Sequence, residues 1–105
     1  MSELNAIEVI TLFVDDIAAA KAFYRTVFEA EAVYEDEVSQ VLQFNGLWVN
    51  LLQATRAPQL VEPLPVAPSQ AGSRILLTIR VEDVDTVCAR LKAKGIALLL
   101  SLIHI

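Results

Sequence analysis

The chain has 105 residues, 55% of them hydrophobic and 20% charged, a length that bounds it to one domain and excludes two independent cores. A mean hydropathy of +0.52 excludes the low-hydrophobicity, high-charge regime of disordered chains. Eight Lys+Arg against thirteen Asp+Glu leave a net charge of −5, with the basic residues scattered singly, which excludes the clustered cations of a nucleic-acid footprint. One cysteine cannot close an internal disulfide and one histidine cannot build a His-rich metal site, so a reducing compartment is expected. The N-terminus lacks the basic, apolar and small-residue regions of a signal peptide, and no apolar run approaches the roughly 18 residues of a membrane span. A soluble, cytoplasmic protein with no membrane partner is the expectation.

Residues 7–14, IEVITLFV, are β-branched and aromatic-rich and stop at Asp15-Asp16, which reads as a strand followed by a helix N-cap. From Ile17 the apolar positions Ile17, Ala20, Phe23, Tyr24, Val27 and Phe28 recur at helical spacing, with Lys21 and Arg25 on the water side and the helix ending between Glu29 and Glu31. Three extended stretches follow, about 32–37, 38–44 and 47–53. Asn45-Gly46 between the last two is a hairpin signal, because both central residues tolerate positive φ. Residues 54–73 hold all four prolines and predict a surface crossover without regular structure. Arg74 to Val81 alternates like a half-buried strand, with Ile75, Leu77, Ile79 and Val81 on one face. A second helix is predicted from Val84 to a Gly95 C-cap, and IALLL opens another strand.

The two halves superpose in sequence. Ile10-Thr11-Leu12-Phe13-Val14-Asp15-Asp16-Ile17 aligns with Leu77-Thr78-Ile79-Arg80-Val81-Glu82-Asp83-Val84 at a constant offset of 67, so strand, acid pair and helix start recur together.

ITLFVDDIAAAKAFYRTVF, the NG hairpin, LWVNLL, the proline-rich crossover and the second strand-VEDVD-helix resemble the vicinal oxygen chelate superfamily, which includes glyoxalase I, bleomycin-resistance proteins, fosfomycin-resistance transferases and extradiol dioxygenases. The likeness runs to about Leu99. It implies an α+β fold of paired βαβββ modules whose sheets curl around a cup, with helices outside and ligands within. The first module spans about residues 5–53, the crossover 54–73 and an incomplete second module 74–99. It also implies a homodimer. The final LSLIHI, residues 100–105, departs from the family pattern and coincides with a translated mosaic-end adapter of transposon-based sequencing libraries, so a truncated frame with a non-native tail is expected. A second sheet lacking its last two strands keeps an open apolar edge, which predicts a marginal monomer prone to association.

Metal-binding relatives place a His near the start of the first strand, a His at the start of the fifth and a Glu on the last. The matching positions here are Val9 and Arg74, neither a useful donor, so no metal cofactor is expected. Glu8 has a donor oxygen, but strand alternation predicts that it faces away from Val9. By the same parity Val9, Thr11 and Phe13 face the cup, as do Trp48 and Asn50 in the fourth strand and Arg74, Leu76, Thr78 and Arg80 in the fifth. Thr11, Phe13, Trp48, Asn50, Arg74 and Thr78 are therefore the candidate ligand-binding residues. Their chemistry suits a small apolar or planar molecule, and the guanidinium groups an anionic one.

Plain structural roles compete for each residue. Trp48 suits core or dimer packing, the arginines suit solvated pairs, and the threonines are ordinary strand formers. Cys88 lies on the apolar helix stripe as an inert thiol, and capping explains Asp15, Asp16, Glu82 and Asp83. Three functions stay open: a metal-independent small-molecule binder of the glyoxalase/bleomycin-resistance type, a lyase, transferase or dioxygenase with residues in further strands, and a ligand-free interaction module.

Overall fold

The computed structural model describes residues 4–72 and 75–97. Arg74, the strand expected from Ile96 onward beyond residue 97, and the tail with His104 lie outside the described residues. The chain divides into two compact units between Ala71 and Gly72.

The first unit is a βαβββ module: β1 (Val9–Val14), α1 (Ile17–Phe28), β2 (Glu31–Glu35), β3 (Ser39–Phe44) and β4 (Leu47–Gln53). Its four-stranded sheet has the order β1-β4-β3-β2. β1 runs parallel to β4, with Val9 opposite Trp48 and Thr11 opposite Asn50, whereas β3 pairs antiparallel with both β4 and β2. The two-residue Asn45-Gly46 turn closes β3 onto β4, with Gly46 at φ 78° as a turn of this length requires. A bulge between Ala32 and Tyr34 interrupts β2, the fully exposed edge strand, and with Glu31 and Glu35 makes that edge a poor template for further pairing.

One face of the sheet is covered by α1. Leu42, Val49 and Leu51 form its buried centre, and Leu12, Ile17, Ala20, Tyr24, Ala30 and Phe44 pack around them. The helical stripe predicted from sequence thus meets alternate residues of β1, β3 and β4. Two members of that pattern behave differently. Phe23 lies at the stripe's border and is 46% exposed. Lys21, expected to face water, is largely covered: its Nζ bonds Glu35 Oε2 at 2.9 Å and the Asp36 carbonyl at 2.7 Å, tying α1 to the β2–β3 connection. Ring contacts continue the packing from Tyr24 through Phe28 to Phe44, at centroid separations of 5.2 and 5.4 Å.

Asp16 caps α1, its carboxylate accepting from the Ala19 N–H at 3.1 Å. Gln53 at the end of β4 accepts from the Ile17 N–H at 3.0 Å, so the helix start is also fastened to the sheet. The crossover is not devoid of regular structure as its prolines suggested. It contains 3-10 turns at Ala54–Arg56 and Ser69–Ala71 and a short helix α2 at Pro58–Val61. Pro58 occupies the first position of α2, where a missing N–H costs nothing.

The second unit contains α3 (Val84–Ala93). Asp83 caps it, accepting from Thr86 N–H at 3.0 Å, and the N–H of Ile96 returns to the Leu91 carbonyl at 3.0 Å beyond Gly95. Val84, Val87, Cys88 and Leu91 form its half-buried stripe, as predicted. The expected fifth strand is not formed: residues 75–81 belong to no sheet, and Ile75, Leu76, Leu77 and Ile79 are all exposed. Alternation supplies two faces, but a strand also needs a ladder partner for its backbone, and none of the described residues provides one.

Candidate functional site

The sheet face opposite α1 carries the residues that parity assigned to it. Because paired positions share a face, the registers define rows across the sheet. One row runs Val9, Trp48, Gln43 and Glu31; the next runs Thr11, Asn50, Val41 and Tyr34; a third joins Phe13, Leu52 and Ser39. Val9, Phe13 and Trp48 are 40%, 38% and 39% exposed, an apolar and aromatic surface that α1 does not cover.

A polar pair lies within this surface. Asn50 Nδ2 donates to Thr11 Oγ1 at 3.5 Å, across the parallel β1–β4 pair. Asn50 Oδ1 is buried and meets no donor among the described residues. An unsatisfied buried acceptor costs roughly 1–3 kcal/mol, a deficit that a donor supplied from outside would remove.

Four of the six residues singled out from sequence, Thr11, Phe13, Trp48 and Asn50, are therefore brought onto one face of one sheet. Thr78 belongs to the second unit and lies exposed in the segment that forms no strand, as does Arg80. Arg74 lies outside the described residues. Sequence reasoning missed the β3 contribution, Val41 and Gln43. The NG hairpin contained that information, since a two-residue turn sets Phe44 opposite Leu47 and hence Gln43 opposite Trp48. Glu8 immediately precedes β1. Its carbonyl accepts from the Trp48 N–H at 3.0 Å, and the residue lines a cavity of about 260 Å³ together with Gln43, Phe44, Gly46, Leu47 and Trp48.

The perturbed acids lie elsewhere. Asp36 accepts from the Val38 N–H, the Tyr34 hydroxyl and the Ser39 hydroxyl, which holds its carboxyl down at about 2. Lys21 lowers Glu35, and the Asp36 hydrogen bond raises Tyr34. These groups fasten the β2–β3 connection and are structural.

No group of three or more His, Cys, Asp or Glu gathers among the described residues. Val9, at the first of the expected metal positions, lies opposite Trp48 and has a hydrocarbon side chain without a donor atom, and Arg74, at the second, lies outside the described residues. No helix among them is long and apolar enough to cross a membrane.

A βαβββ module with its helix on one face and an apolar face left open is the building block of the glyoxalase-type folds. The model of the Glyoxalase/Bleomycin resistance protein/Dioxygenase superfamily matches residues 6–104, and the chain belongs to that superfamily. Solved structures agree on the fold. A glyoxalase/bleomycin resistance protein/dioxygenase from Nocardioides is 21% identical, with a TM-score of 0.76 over 95% of this chain and 68% of its own. Lactoylglutathione lyase from Agrobacterium tumefaciens is 23% identical, with a TM-score of 0.69 over 91% of this chain and 74% of its own. The fosfomycin resistance protein FosX from Listeria monocytogenes is 25% identical, with a TM-score of 0.57 over 100% of this chain and 76% of its own. A comparison with curated proteins returned no match.

Proposed function

We propose that the protein is a cytoplasmic, homodimeric small-molecule binding protein of the glyoxalase/bleomycin-resistance type, which takes a planar or amphipathic ligand on the open face of its first sheet without a metal. The observation that carries this reading is the combination of exposed Val9, Phe13 and Trp48 with a buried, partnerless Asn50 Oδ1 among them. An apolar surface with a few convergent polar groups is the usual composition of a ligand site. Exposed apolar area supplies the driving force, and Asn50 supplies orientation by accepting one hydrogen bond.

Trp48 is the chain's one tryptophan, so its emission reports on this face alone. Titration of chelator-treated protein with a panel of planar aromatic compounds is expected to quench or shift that emission saturably, with the same affinities after zinc, nickel or manganese is added back. Saturation that requires the metal, or a panel without any effect on Trp48, overturns the reading.

A further inference from the structure

The open face is not electrically uniform. At the end of the sheet nearest the Asn45-Gly46 turn, the cavity of about 260 Å³ is lined by Glu8, Gln43, Phe44, Gly46, Leu47 and Trp48, and by no lysine or arginine. The register sets a second carboxylate, Glu31, directly opposite Gln43 on the same face. The row therefore reads, from β1 to β2, hydrocarbon, indole, amide and acid, and Glu8, the residue before β1, lines the cavity beside Trp48. Each polar component favours the same partner. An indole face attracts a cation through its quadrupole, a carboxylate through its charge, and an amide oxygen by accepting an N–H. The volume lies just below the range of complete drug-sized pockets, so it suits one head group of a ligand rather than a whole one.

We infer that this cavity is a subsite for a positively charged nitrogen group, an alkylammonium or amidinium, borne by the planar ligand of the open face. The inference rests on the proposed ligand-binding reading and reverses the charge preference that the arginine positions suggested. Arg74 lies outside the described residues, and Arg80 belongs to the other compact unit. The occupant recognised here is an aromatic amine: its ring lies against Trp48, and its cationic arm points toward Glu8 and Gln43.

The test compares three probes with one ring and different arms, 1-naphthylmethylammonium, 1-naphthylmethanol and 1-naphthoate, by calorimetric titration of the full chain. Chemical shifts of the Trp48 indole N–H report where they bind. The ammonium is expected to bind about fivefold or more tighter than the alcohol at low salt, with the carboxylate weakest. The gap is expected to shrink at high salt and to collapse in a Glu8→Gln/Glu31→Gln variant, chiefly through the ammonium's lost affinity. Both glutamates point no side chain into the buried centre, and a thermal melt of the variant verifies its fold. Equal binding of ammonium and alcohol, or a gap that survives in the variant, overturns the cation subsite and leaves the ligand-binding reading standing. Failure of all three probes to move Trp48 overturns both.

Discussion

Asp16 and Asp83, 67 positions apart, begin two helices in the same way. Their backbones sit at φ −129°, ψ 98° and φ −131°, ψ 99°, and each carboxylate accepts the N–H three residues on, at 3.1 and 3.0 Å. The repeat seen in the sequence survives in the structure as a repeated cap. Removing either carboxylate leaves an N–H at the helix start without its side-chain acceptor. Asp16→Ala is expected to cost about 1 kcal/mol in denaturant unfolding, Asp16→Asn much less, and Asp83→Ala to act in the same direction on the second unit. Hydrogen exchange at Ala19 and Thr86 reads the two caps separately.

Leu51 is fully buried at the centre of the face that α1 covers. Leu51→Ala leaves a cavity between sheet and helix and is expected to destabilise the first unit by about 2–5 kcal/mol, measured by denaturant unfolding. Leu52, its neighbour on the opposite face, is only half-buried, and Leu52→Ala is expected to cost markedly less.

Asn50 couples stability to binding in opposite directions. Asn50→Leu removes a buried acceptor without a partner at the expense of one long hydrogen bond to Thr11. The variant is expected to unfold at equal or higher denaturant concentration than the parent, while its affinity for a hydrogen-bond-donating planar ligand falls about tenfold. A loss of stability together with unchanged affinity would mark Asn50 as a purely structural residue.

Asp36 sets an acid limit on the β2–β3 connection. Three donors lower its carboxyl from 3.8 to about 2, so the folded state holds its proton more weakly than the unfolded chain does. The stabilisation is therefore complete above about pH 4 and is lost as the pH falls through about 2. The difference in melting temperature between the parent and Asp36→Ala is expected to be largest above pH 4 and to close toward pH 2. A difference independent of pH would assign the effect to packing.

Much of the first module was legible because its determinants are local. The 3.6-residue stripe of α1, the period-2 pattern of β1 and β4, the acidic cap and the NG turn each lie within a few residues, and together they separated a helix-facing set from an open set. That is why parity alone places Thr11, Phe13, Trp48 and Asn50 on one face. Residues 75–81 show the limit of the same reasoning: their alternation is as clear as that of β1, yet they form no strand, because ladder partners are distant in sequence. Lys21 shows it again, since a helical wheel turns it to water whereas Glu35 and the Asp36 carbonyl hold it against the sheet.

By itself the sequence determined the α1 and β-hairpin elements and the parity of the open face, consequences of short-range periodicity and turn chemistry, whereas the family and the α+β class came from its resemblance to known proteins. Only the tertiary structure decided which strands are neighbours. The parallel β1–β4 pairing sets Asn50 beside Thr11 and Val9 beside Trp48, and the hairpin with the start of β1 gathers Glu8, Gln43 and Trp48 around one cavity. These are contacts between residues about 40 positions apart, and they follow from how the sheet closes against α1 rather than from any pattern within a single segment.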